Sequence, residues 1–302
     1  MPIRDATIIG AGLIGASIAW RLAQAGVRVA LIDAGLFGGE TSSAGAGMLS
    51  PGGEFDGVPG WHPLAVDSMS LYPDFVDELR MRTKLLIDFQ ICGSFKFPQK
   101  GGDAIHYPGD GFVDPTHLLR ALRAVCLARA VRIFEHQPVT AFDSDSTGAL
   151  VIAAGAWSNQ LEITHSGRRL DLPPVKPIKG HLIGFDFEPG TLGPMLRCGH
   201  SYVLQRSNGF LVAGSTEEDV GFDRTVDPEI CADIHRRATE LCPSLDGLAP
   251  SKSWIGFRPF SELPNIGRVD GTNVWLAYGH FRNGILLTPL TAARIASEIT
   301  SR

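Results

Sequence analysis

The chain has 302 residues, enough for about two domains. Hydrophobic residues make up 44% and charged residues 20%, which excludes a disordered polypeptide because ample apolar surface is available to bury. A net charge of −5 provides neither a nucleic-acid footprint nor a patch for an anionic membrane.

The 35 glycines stand well above the usual share of about 7% and follow no G-x-y period. Collagen is excluded, and many tight turns and close backbone approaches are expected. The five cysteines (Cys92, Cys126, Cys198, Cys231, Cys242) are odd in number and form no C-x-x-C. They indicate neither a disulfide framework nor a metal site, and reduced buried thiols in a cytoplasmic protein are expected. The longest apolar stretch, Ile8 to Trp20, has 13 residues and three glycines. It is too short for a membrane segment.

Ala6 to Ile9 is a short apolar run that predicts a buried parallel strand. Leu13 to Ala25 has helical spacing and is closed by Gly26; Val27 to Ile32 is a second strand. A long small-residue loop covers 34–60, the kind of loop that is usually functional. Residues 61–86 read as one or two helices interrupted near Pro73. A strand piece is expected at 94–97, a helix at 115–130 capped by Asp114, and strands at 131–134 and 149–153. Further strands are expected at 182–187, 254–257 and 274–277, with a hairpin over 201–213 turning at Ser207-Asn208-Gly209. Asp227 caps a helix reaching Cys242, and the last helix is expected over 285–300.

This order predicts an α/β fold: a Rossmann-like cofactor-binding domain with an interleaved α+β substrate domain carrying an antiparallel sheet. The cofactor domain takes 1–55, 112–178 and 252–302, and the substrate domain takes 56–111 and 179–251.

Gly10-Ala11-Gly12-Leu13-Ile14-Gly15 is G-x-G-x-x-G between a strand and a helix, the context in which this motif binds a dinucleotide. Gly10 permits the turn, Gly12 admits a pyrophosphate to the helix N-terminus, and Gly15 lets helix and sheet pack. Asp33, 21 residues after Gly12, is placed to bond ribose hydroxyls. This motif alone leaves FAD and NAD open. Thr41 to Leu49, with hydroxyls at Thr41, Ser42 and Ser43 and small residues at Ala46 and Gly47, suits close main-chain approach to phosphates and a flat ring. The strand ending Ala153-Ala154-Gly155 brings a second backbone edge to the same crevice.

With these features the chain resembles the D-amino-acid oxidase superfamily of FAD enzymes, most closely its glycine oxidase branch. The likeness runs through Ile133–Val139, Ala153–Ser158, Pro177–Gly180, Gly199–Leu204, Gly256–Pro259 and, most specifically, Gly279–Pro289. It implies FAD contacts that add Leu13, Ile14, Ala34, Met48, Val139, Ala154, Trp157 and His280 to the motif residues. It also implies oxidation of a small amino acid by hydride transfer to the flavin, with dioxygen as the expected acceptor. Arg258 is then the carboxylate clamp, since a guanidinium grips a carboxylate through two parallel hydrogen bonds. Tyr202 would share the carboxylate, and His200 would line the pocket from the same strand face. Arg282 would offer its backbone carbonyl to the substrate amine and flank the flavin. Asn283 would cap the last helix, with Gly284, Ile285 and Leu286 presenting amides to the flavin.

The chain departs from the family in a shortened 82–114 region, in only 11 residues between Val139 and Val151, and in Glu217 where an apolar methionine is usual. A carboxylate at Glu217 would repel acidic substrates and favour basic or polar ones. Two other readings stay open: a D-amino-acid dehydrogenase passing electrons to a quinone, and a flavin-binding protein without turnover. A homo-oligomer is compatible with the sequence.

Overall fold

The computed structural model describes residues 5–52 and 60–301. The predicted domain junction at 55/56 and the 53–59 part of the long loop lie outside the described residues.

The chain opens as strand Asp5–Ile9, helix Leu13–Gln24 and strand Arg28–Ile32. Two glycines allow the turn between the first strand and the helix. Gly10 has φ +106°, and a Cβ there would sit 2.3 Å from the Ala153 carbonyl oxygen. A Cβ on Gly15 would sit 1.9 Å from the Gly10 carbonyl oxygen, so the helix packs onto the turn only because Gly15 has no side chain.

The first two strands join Arg132–Phe134, Ala149–Ile152 and Val274–His280 in a parallel array ordered 132–134, 28–32, 5–9, 149–152, 274–280. Successive residues serve opposite faces. Ile8, Leu31, Val151 and Trp275 face a core closed by the helices Leu13–Gln24, Trp61–Thr83, Pro115–Ala128 and Thr288–Thr300. Ile9, Leu150, Ile152 and Val274 face the other side with Leu161 and Ile163.

The antiparallel sheet expected of the substrate domain is continuous with this array, giving one 12-stranded sheet. The seam is Lys252–Arg268, a 17-residue strand. Residues up to Phe260 pair with Lys176–Phe185, and Phe260 and, beyond a register irregularity, Asn265 to Arg268 pair with Val274–His280. Met195–Cys198, Ser201–Gln205 and Leu211–Gly214 extend the sheet outward. The predicted hairpin turn at 207–209 is present, with Gly209 at φ +92°. On one face, Ile183, Phe185, Val203 and Leu211 pack under the helix Pro228–Leu241. On the other, Leu182, Tyr202, Leu204 and Val212 pack with Ala46 and Phe112.

Three sequence expectations change. Pro73 interrupts nothing: Trp61–Thr83 is one helix, whose buried stripe of Trp61, Ala65, Ser68, Tyr72, Phe75 and Leu79 outweighs the hydrogen bond a proline cannot make. The expected strand 254–257 is the start of the seam strand. The last α-helix starts at Thr288, after a short 3-10 turn Phe281–Asn283, so Asn283 is not its N-cap.

Candidate functional site

A cleft of about 1190 Å³, counting the part open to solvent, lies at the carboxyl ends of the parallel strands, the usual ligand position in open α/β sheets. One wall is Gly12, Leu13 and Ile14 with Thr41, Ser42, Ala46, Gly47 and Met48. The other is His280, Arg282, Asn283, Gly284 and Ile285, from the opposite end of the chain. Gly155, Tyr202 and Arg258 complete the predicted residues that border it. The sequence reading missed Ala44, Gly45, Gly180, Ser215, Gly256 and Tyr278 among the lining.

The remaining predicted residues stand behind the wall. Gly10 and Gly15 close the turn. Asp33 accepts the Ala11 N–H at 2.7 Å and the Gly35 N–H at 2.8 Å, bracing that turn and the adjoining loop. Ala34 lies beside it, where the Asp33 carbonyl accepts the Gln137 N–H at 2.8 Å. Val139 and Ala154 pack on the core behind the parallel strands. Trp157 stacks on Phe222 with ring centroids 4.8 Å apart. Leu286 is buried in the helical core.

Of the three loop hydroxyls, Ser42 Oγ accepts the Leu13 N–H at 3.0 Å, at the helix N-terminus. Thr41 Oγ1 donates to the Phe257 carbonyl at 2.7 Å, and Ser43 Oγ donates to the Glu40 carbonyl at 3.1 Å.

Arg258 rises from the seam strand. Its guanidinium donates through Nη1 to the Thr216 carbonyl at 2.8 Å and through Nη2 to Ser215 Oγ at 2.9 Å. Gly180 makes the space: a Cβ there would meet Arg258 Nη1 at 2.2 Å. Burial pulls the guanidinium below the usual arginine range. Tyr202 opposes that shift, Arg282 adds to it as a like charge, and the Glu217 and Glu218 carboxylates oppose it. Tyr202 is itself buried, and its ring crosses Gly214 on the neighbouring strand, where a Cβ would lie 2.7 Å from the Tyr202 hydroxyl.

His200 lies in the turn before strand Ser201–Gln205 and not on it, and 64% of its side chain is exposed. It borders a second cavity that shares Met48, Tyr202 and Arg282 with the cleft. Glu217 is drawn to the same corner. Its Oε1 accepts from Arg282 Nη1 at 2.7 Å, with His200 Nδ1 3.7 Å away. The carboxylate is therefore paired with a cation of the cleft wall.

The turn carrying Ile285 and Leu286 is tied down by the long helix. Tyr72 Oη donates to the Ile285 carbonyl at 2.7 Å and Ser68 Oγ to the Leu286 carbonyl at 2.6 Å. His280, fully enclosed beside Thr291 Oγ1 at 3.0 Å, is pushed down to about 3 by burial.

A family model described as FAD dependent oxidoreductase, the DAO family, matches residues 5–103 and 96–298. The chain belongs to this family. It is 30% identical over 353 residues to glycine oxidase of Geobacillus kaustophilus, covering 98% of this chain and 92% of that protein. Glycine oxidase of Pseudomonas putida is 29% identical over 349 residues, covering 98% and 94%. The crystal structure of the Geobacillus kaustophilus glycine oxidase superposes with a TM-score of 0.92 at 29% identity, covering 99% of this chain and 95% of that one. The chain is an FAD-dependent amino-acid oxidase.

The cleft fits FAD. No Asp or Glu is among its described lining residues, and the helix N-terminus at Gly12 opens onto it. Its walls approach through bare backbone: a Cβ on Gly45 would meet Ile285 Cδ1 at 2.7 Å, and one on Gly256 would meet Ala44 Cβ at 2.8 Å. Among the described residues no group of His, Cys, Asp and Glu suits a metal, and no helix is long and apolar enough to cross a membrane. The five cysteines are free.

Two predictions follow from these groups. Unfolded His280 gains its proton near 6.5 and the folded side chain only near 3, so the unfolded state binds more protons between those values. The His280 contribution to stability is complete above the higher value and is lost as pH falls toward the lower one. Melting temperatures recorded between about pH 7 and pH 4 should fall less steeply for His280→Gln than for the unsubstituted protein; parallel curves would contradict the burial argument. Glu217→Met removes a half-screened carboxylate from Arg282 and raises the positive potential of that wall. The ratio of kcat/KM for an acidic D-amino acid to that for D-alanine should rise about two- to fivefold; an unchanged ratio would show that the Glu217 charge is not felt there.

Proposed function

We propose that this oxidase acts on glycine or another small amino acid, of D configuration where the α-carbon is a stereocentre. The α-carbon gives up a hydride, the imino acid hydrolyses to an oxo-acid and ammonia, and dioxygen is reduced to hydrogen peroxide. When bound, FAD supplies the hydride acceptor at its N5 and delivers the electrons to dioxygen.

The chain's own task is orientation. The N–H donors of Arg258 that Thr216 and Ser215 leave over take the substrate carboxylate, and the Tyr202 hydroxyl shares it. The Arg282 carbonyl accepts from the amine. Met48 and the bare glycine walls hold the flat ring in place and exclude water. In this reading the FAD-binding unit comprises 1–55, 112–178 and 252–302, and the substrate unit comprises 56–111 and 179–251. Gly10, Asp33, Ala34, Ser43, Val139, Ala154, Trp157 and Leu286 act on FAD by shaping the wall, and His200 acts at the pocket mouth. We place the enzyme in the cytoplasm.

The observation that carries this reading is a guanidinium in the cleft wall, held by the Thr216 carbonyl and Ser215 Oγ, with Tyr202 lining the same cleft. Its likeness to glycine oxidases supports the substrate class. In air, the FAD-loaded protein should generate peroxide with glycine or D-alanine. Arg258→Met should lower kcat/KM about a hundredfold by removing a charge-assisted grip on the carboxylate. Flavin that is reduced under nitrogen but yields no peroxide in air would instead indicate a dehydrogenase. Flavin that no glycine analogue or D-amino acid bleaches would indicate a binding protein.

A further inference from the structure

Behind Arg258 runs a hydrogen-bonded chain that the oxidation itself does not use. The Thr216 carbonyl holds Arg258 Nη1 at 2.8 Å, and the Thr216 side chain is fixed in turn. Thr216 Oγ1 accepts the His181 N–H at 2.9 Å and donates to Glu218 Oε1. The same Glu218 oxygen lies 2.8 Å from His181 Nδ1. His181 Nε2 accepts the Asp227 backbone N–H at 3.0 Å, so the ring proton is on Nδ1 and points at Glu218.

His181 is 0% exposed, in the strand that pairs with the seam strand. Asp227 caps the helix Pro228–Leu241, which packs on the face of the sheet away from the cleft. The main chain repeats the tie: Lys179 and Glu218 exchange N–H···O bonds of 2.9 and 3.0 Å. A connected path thus leads from a helix start on one face of the sheet to a guanidinium on the other.

Each bond in the path constrains one acceptor. Thr216 can hold the guanidinium only while its carbonyl points at Nη1, and a shift of about half an ångström at such a support is enough to loosen the group it positions. We propose that His181 and Glu218 are positioning residues for Arg258. They lock Thr216, and through it they set the direction in which the guanidinium presents its remaining donors to a carboxylate. This rests on the reading in which Arg258 binds the substrate carboxylate.

The test uses FAD-loaded protein and two readouts: steady-state kinetics with glycine, and acetate binding followed by the change in flavin absorbance. Glu218→Ala and Thr216→Val should each raise KM for glycine and Kd for acetate about tenfold, with kcat within about threefold. FAD content and the spectrum without acetate should not change. Glu218→Gln keeps an oxygen for His181 Nδ1 and Thr216 Oγ1, and should restore both values to within about twofold of the unsubstituted protein.

Unchanged KM and Kd in the Ala and Val variants would overturn the proposal. So would kcat and FAD content falling in step with rising KM in all three variants, since that is the signature of general loosening. If Glu218→Ala does not fold, Thr216→Val decides alone, because it retains the backbone carbonyl. Arg258→Met in the same acetate titration separates the two levels. Unweakened acetate there would sink the carboxylate reading itself. Weakened acetate there, with unaffected Glu218 and Thr216 variants, would sink only the positioning chain.

Discussion

Taking a guanidinium out of water is costly unless oxygens meet its donors. Much of the local architecture answers that requirement at Arg258. Gly180 gives up its side chain to leave room, and Gly214 does the same for the adjoining tyrosine. Ser215 and Thr216 supply the oxygens, and the loop bearing them is bonded back to a buried histidine. Arg258 borders a cleft whose other walls combine bare glycine backbone with apolar side chains such as Leu13, Met48 and Ile285.

The continuous sheet makes this placement rigid. A site split between two separately packed sheets would depend on how they dock. Here one strand, Lys252–Arg268, pairs antiparallel both with Lys176–Phe185 and with Val274–His280, the last strand of the parallel array, and Arg258 lies just before Phe260, which pairs on both sides. The strand that precedes the N-terminal motif and the strand that precedes the C-terminal turn, Val274–His280, are joined in the same sheet through Ala149–Ile152. The turn at Ile285 is further fixed by two hydroxyls of the long helix. Closely approaching backbone walls of this kind suit a flat, polar cofactor.

The cofactor end was legible in the sequence because its signals are local. G-x-G-x-x-G, the flanking strands and Asp33 fall within one short stretch, and the turn geometry that needs glycine is written directly as glycine. The length of the seam strand was hidden. Pro259 and Pro264 argue against a strand; Pro264 falls in the register irregularity between Phe260 and Asn265, and Pro259 sits opposite Pro177. Pro73 misled as well, since its helix is held by a buried stripe of its own that packs into a core contributed by other parts of the chain. Asn283 has the chemistry of a cap, but it ends a 3-10 turn, and four residues separate it from the helix start at Thr288. The supports of Arg258 left no sequence signal at all. Thr216 acts through its carbonyl, which every residue has, and His181 meets Glu218 across 37 positions.

In the proposed function the half-buried Arg258 guanidinium is the anchor for an acid group above the flavin. A crystal structure of the FAD-loaded protein soaked with acetate tests it most directly. The acetate carboxylate should lie at hydrogen-bond distance from Arg258, about 3 Å, with the Tyr202 hydroxyl sharing it. Acetate seated elsewhere in the cleft, with Arg258 turned away from it, would contradict the account.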